Sequence, residues 1–93
     1  MELELRFFAT FREAVGQKNI VREFDGDEIT VREVLQELEG EYDDLSGALL
    51  NDGEIQEMLL VLKNGQQVIH QEGPDTVLED GDTLAVFPPV AGG

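Results

Sequence analysis

Thr30-Val31-Arg32-Glu33-Val34-Leu35-Gln36-Glu37-Leu38-Glu39-Gly40 is the stretch on which the fold turns. Thr30 followed three residues later by Glu33 has the spacing of a capping box, in which each side chain satisfies an orphan N–H of a helix's first turn. A helix is therefore predicted to begin at Val31. Val31, Val34, Leu35 and Leu38 recur at i, i+3, i+4 and i+7, the spacing of one buried stripe, while Arg32, Glu33, Gln36, Glu37 and Glu39 fill the wet face. Gly40 is expected to end the helix, and Asp25-Gly26-Asp27 supplies the turn before it.

On the upstream side, Glu2-Leu3-Glu4-Leu5-Arg6-Phe7 alternates with period two and puts Leu3, Leu5 and Phe7 on one face of a strand. Thr10 to Gly16 reads as a short helical turn stopped by glycine, and Asn19 to Phe24 as a second strand, the two strands forming a hairpin with a long connection. Downstream, Leu45, Ala48, Leu49 and Leu50 suggest a short second helix within 41–55, before an Asn51-Asp52-Gly53 turn. The unbroken apolar run Met58-Leu59-Leu60-Val61-Leu62 is expected to be a central strand buried on both faces. Asn64-Gly65 is a strong hairpin signal, with Gln67 to His70 as a short return strand. Thr83-Leu84-Ala85-Val86-Phe87 is the last strand, stopped by Pro88-Pro89. The order strand, strand, helix, strand, short strand, strand specifies an α+β chain. The expected fold is a β-grasp: a mixed four- to five-stranded sheet with one main helix on one face. Residues 1–89 are expected to form the domain, and 90–93 a flexible tail.

The 93 residues suffice for one modest core. The absence of cysteine excludes disulfides, thiolate metal sites and a thiol nucleophile. Any sulfur chemistry must use sulfur brought from outside. With 21 acidic against 6 basic residues, the net charge of -15 repels nucleic acid and anionic membranes. The acids are spread along the whole chain, which suits a surface solvated in concentrated salt better than a single docking face. Met1 to Ala9 lacks a leader pattern and no apolar run reaches membrane length, so a cytoplasmic protein is expected.

The chemistry points to the end of the chain. Gly92-Gly93 offers a carboxylate on backbone with no side chains beside it. Pro88 and Pro89 favour extended backbone, so residues 88–93 can reach up to roughly 20 Å into a partner's active site. The Gly93 carboxylate is a poor electrophile until its oxygen becomes a leaving group, which implies adenylation by ATP on a partner enzyme. Phe87-Pro88-Pro89-Val90-Ala91-Gly92-Gly93 resembles the tail of the MoaD-type small subunit of molybdopterin synthase, in the MoaD/ThiS sulfur-carrier family. Leu5 to Phe8 with Phe11-Arg12-Glu13, the Asn64-Gly65 turn, and Leu78 to Asp82 extend the resemblance over most of the chain. The chain is also similar to the small archaeal ubiquitin-like modifier proteins.

The resemblance implies a ubiquitin-like β-grasp that is a carrier, not an enzyme. An E1-like adenylyltransferase would activate Gly93 with ATP. The tail would then become a thiocarboxylate for the large subunit of molybdopterin synthase, in molybdenum cofactor synthesis, or form an isopeptide bond with a lysine of a target protein. No bound cofactor or metal is expected. A dedicated molybdopterin synthase subunit without conjugation, and an acidic β-grasp module that only docks, are the alternatives.

Among other residues, Phe87 is expected to be a core residue at the strand end or a partner contact, and Val90 a partner-facing apolar contact. Together with Pro88, Pro89, Ala91 and Gly92 they make up the expected partner-binding tail. Lys18 and Lys63 are the only lysines, hence the only internal side chains that could accept a second modifier. His70 stands alone, without the companions a metal site needs. Asp25 to Glu28 and Glu79 to Asp82 lack EF-hand spacing and read as solvated turns, and Asp43-Asp44 as helix-end solvation.

Overall fold

The computed structural model describes residues 1–89 of the chain. Five strands form one mixed sheet: β1 (Glu2–Phe7), β2 (Asn19–Glu23), β6 (Leu60–Lys63), β7 (Gln66–Gln67) and β9 (Thr83–Phe87), in the order β2-β1-β9-β6-β7. β1 and β9 run parallel at the centre, and the remaining neighbours are antiparallel. The main helix, α2 (Val31–Glu41), covers one face. This is the β-grasp that the order of elements predicts.

The alternation in β1 decides which way the sheet faces. Leu3, Leu5 and Phe7 are completely buried, and their partners Leu84 and Val86 on β9 join them under the helix. Val31, Val34, Leu35 and Leu38 form the stripe of α2 that meets them, each at most 1% exposed. Burying one such side chain is worth about 1.5–3 kcal/mol, so this contact carries most of the fold. The capping residue is in place: the Glu33 N–H donates to Thr30 Oγ1 at 3.2 Å. The Thr30 hydroxyl in turn donates to Glu33 Oε1 at 3.2 Å, and Glu28–Thr30, just before the helix, forms a short strand, β3, paired with β8 (Val77–Glu79).

The structure differs from the sequence expectations at four points. Gly40 does not end α2, which continues to Glu41, with the Tyr42 N–H donating to the Leu38 carbonyl. Nothing in its backbone requires glycine. No second helix forms in 41–55; a single helical turn (Asp43–Leu45) leads to a small hairpin of β4 (Leu50–Asn51) and β5 (Glu54–Ile55). Leu45 and Leu49 are buried all the same, and Glu39 Oε2 accepts the N–H groups of Leu49 and Leu50 at 2.9 and 3.1 Å. That carboxylate satisfies backbone donors that a helix would have paired internally. The run 58–62 is neither all strand nor central: β6 starts at Leu60 and has only the two-residue β7 outside it. Finally, the return strand is Gln66–Gln67, after which Val68–His70 is a helical turn. The hairpin itself is as expected, with Asn64 and Gly65 at φ 48° and 85°, the paired positive angles of a type I′ turn. A further short helix, α1 (Ala9–Val15), follows β1 and ends at Gly16.

Asp82 ties the two tight turns together. Its carboxylate accepts from Asn64 Nδ2 at 2.9 Å and from the Glu79 N–H at 2.8 Å, with Lys63 Nζ at 3.8 Å. Burial pushes its pKa up, but the Asn64 and Glu79 hydrogen bonds and the Lys63 charge outweigh that and hold it below its ordinary 3.8. A depressed carboxylate stabilises the fold above its unfolded pKa and loses that contribution as pH falls through the folded value. Asp82→Ala is expected to destabilise the protein by about 1–3 kcal/mol at neutral pH. In denaturant titrations the gap between variant and parent should narrow below about pH 4. An unchanged gap would show that the carboxylate charge is not what holds the turns.

Candidate functional site

The described part of the site is the point where the central strand releases the tail. β9 lies between parallel β1 and antiparallel β6, so whatever follows Phe87 leaves from the middle of the sheet. Pro88 and Pro89 lack the N–H that would extend the ladder, and the strand stops there. Period two sends Leu84 and Val86 toward the helix, which leaves Ala85 and Phe87 on the uncovered face. Phe87 is therefore not part of the core under α2. It is half-buried on the open face, stacked on Phe8 with ring centroids 4.0 Å apart and planes 9° from parallel.

Phe8 follows β1 directly, where the alternation that buries Leu5 and Phe7 turns it outward. Phe8, Ala9, Met58, Leu60, Phe87 and Pro89 surround a mainly apolar depression at the root of the tail. Leu60 pairs with Phe87 and Leu62 with Ala85, which continues the apolar strip across the open face; the Arg6–Glu4 ion pair, 2.9 Å, borders it. Such a surface suits a partner that must grip the body while threading the tail. Phe8, Met58 and Leu60 were not singled out as site residues from the sequence. The signal was present for Phe8, an aromatic side chain in the wet register of a strand. Val90, Ala91, Gly92 and Gly93 lie outside the described residues.

The two lysines occupy different environments. Lys63 Nζ donates to the Val77 carbonyl at 2.8 Å and lies near Asp82, with its side chain 23% exposed. Lys18 is exposed, at the entry to β2. Lys63 thus serves the fold, and Lys18 is the accessible amine. His70 is exposed on its helical turn, and among the described residues no group of three or more His, Asp or Glu side chains is arranged to hold a metal. Asp80 accepts the Glu2 N–H at 2.8 Å, so the 79–82 turn is tied to the start of β1. Arg22 forms a two-pronged pair with Glu41, 2.5 and 2.8 Å, linking β2 to the end of α2. The hydrogen bond from Arg22 lowers the Glu41 pKa. None of these groups forms a catalytic constellation.

Comparison with known proteins agrees with this arrangement. The chain is 60% identical over 93 residues to small archaeal modifier protein 3 of Haloferax volcanii, spanning all of both chains. The crystal structure of SAMP1 from the same organism matches with a TM-score of 0.80 at 34% identity over 100% of each chain. A chain in the crystal structure of the Amycolatopsis orientalis BexX/CysO complex matches with a TM-score of 0.79 at 26% identity, over 98% of this chain and 99% of that one. The acidic surface fits kinship with proteins of a salt-loving archaeon. Residues 5–93 match the ThiS family, and the chain belongs to it.

Proposed function

We propose that this chain is a ubiquitin-like protein modifier and sulfur carrier, which acts through the carboxylate of Gly93. The observation that carries the reading is the apolar root of the tail: Phe8 stacked on Phe87 at the end of the central strand, where a Gly-Gly terminus departs. In the first step the Gly93 carboxylate oxygen attacks the α-phosphorus of ATP on an E1-like adenylyltransferase, and pyrophosphate leaves. The acyl adenylate then loses AMP to one of two nucleophiles. A sulfur nucleophile leads to the thiocarboxylate that would supply the large subunit of molybdopterin synthase. The ε-amine of a target lysine gives an isopeptide bond. ATP belongs to the activating enzyme, and this chain needs no cofactor of its own. The cytoplasm, where that enzyme meets ATP, is the proposed location.

The chain's own part is to grip and to present. Phe8 and Phe87 give the partner a flat apolar contact beside the tail, and the two prolines hold its first residues extended. Phe8→Ala is expected to reduce kcat/KM for adenylate formation by tenfold or more, a loss of about 1.4 kcal/mol per factor of ten. The stack is half-exposed, so stability should fall by only about 1 kcal/mol. Normal activation of a folded Phe8→Ala protein would move the docking surface elsewhere. Where modifier chains form, Gly-Gly remnants should appear by mass spectrometry on Lys18 in preference to Lys63, and Lys18→Arg should remove most of them. Remnants on Lys63 alone would contradict this.

A further inference from the structure

A groove of about 370 Å³ runs between the segment that follows β5 and the helical turn Val68–His70, and carrier chemistry makes no use of it. Its floor is apolar, built from Ile55, Leu59, Val61 and Val68. Met58 and Ile69 stand at its mouth, 76% and 73% exposed, among the few large hydrophobic side chains that the described residues leave in water. Met58 moreover holds φ 71°, a left-handed conformation that costs a non-glycine residue on the order of 1 kcal/mol. Glu54 and Glu57 lie on the rim, Glu54 with its carboxylate 3.8 Å from the Arg32 guanidinium and Glu57 exposed, and no Lys, Arg or His is among the residues that line the groove. Beside the groove, Arg32 links the residues next to its lining: its Nε donates to the Gly53 carbonyl at 2.6 Å, and its guanidinium pairs with Asp75, the chain neighbours of Glu54 and Pro74 respectively.

We propose that this groove docks a short partner segment that carries one or two bulky apolar side chains flanked by lysine or arginine. The floor selects the apolar anchor, and Glu57 on the rim of a chain of net charge -15 selects the flanking cations. The same charge disfavours a second copy of this chain as the occupant. Met58 borders both the groove and the depression at the tail root, so the two surfaces are continuous. On the carrier reading, and only in this respect resting on it, the segment belongs to a protein that also handles the tail. The groove would then be a second grip on a flank of the body.

The test is to pan a random-peptide display library on the full chain, with a Met58→Asp, Ile69→Asp double variant as counter-target. Both residues are exposed, so the variant should fold, which its thermal melt would verify. The expected result is a consensus of apolar anchors flanked by Lys or Arg. A synthetic peptide of that consensus should bind the double variant at least tenfold more weakly and lose affinity as salt rises. A chain lacking Gly92 and Gly93 should bind it unchanged, which separates the groove from the tail chemistry. Failure to enrich any peptide over the double variant would overturn the proposal, as would an acidic or uncharged consensus. Self-association that the double variant abolishes would assign the groove to a second copy instead.

Discussion

A chain that ends at Ala91 is expected to acquire no adenylate from ATP on the proposed E1-like enzyme, while the intact chain is labelled. The effect should be complete, because the deletion removes the reacting carbon itself and not a contact to it. It should also cost nothing in stability. The core lies among β1, β9 and α2, and the last strand ends at Phe87, before the deleted residues. Equal melting temperatures with all-or-none labelling would therefore separate the carrier mechanism from a docking module, for which the tail is dispensable. Gly92→Ala should give an intermediate result: the carboxylate survives, but a methyl group now sits on backbone that must pass through a closely fitting channel. Label on the truncated chain would refute the assignment of chemistry to Gly93. No label on either chain, with the enzyme active on another carrier, would favour docking.

The helix, the first and last strands and the Asn64-Gly65 turn were legible in the sequence because each carries a periodic or steric signal that tertiary contacts reinforce. Leu3, Leu5 and Phe7 could face only one way, and the glycine after Asn64 suits a paired positive-φ turn. The 41–55 segment was not legible because its buried leucines are held by a side chain outside it. Glu39 caps the N–H groups of Leu49 and Leu50, a pairing that leaves no spacing rule in the sequence. β3 and β8 are three residues each, too short for alternation to register. The 58–62 run misled because apolar content does not distinguish a strand buried on both faces from one whose second face is left uncovered. The tail was legible as a candidate for chemistry that lies outside the described residues, but the aromatic stack at its root was not legible. Phe8 and Phe87 come from opposite ends of the chain and meet only through the parallel pairing of β1 with β9.

Dilution from molar salt into low salt is expected to destabilise the protein by several kcal/mol, enough to populate unfolded chains at room temperature. The argument is one of length scales. At about 0.01 M salt the Debye length is roughly 30 Å, comparable to the 39 × 28 × 24 Å body, so every carboxylate feels nearly every other. At about 1 M it is roughly 3 Å, and only adjacent charges interact. Six basic residues cannot offset 21 acidic ones. Those with a structural partner, such as Arg22 with Glu41 and Lys63 with Asp82, are engaged locally and do little for the long-range field. Unfolding spreads the same charge over a larger volume, so repulsion acts mainly against the folded state and the energy is of order several kcal/mol, against a usual total stability of about 5–15 kcal/mol. Denaturant midpoints measured across a salt series should rise steeply and then level off near molar salt. Replacing exposed Glu13, Glu37 and Glu57 by Gln should recover part of the low-salt loss while leaving the high-salt value nearly unchanged. A midpoint independent of salt would show that the core under α2 suffices alone. The acidity would then have to be explained by the partners it attracts.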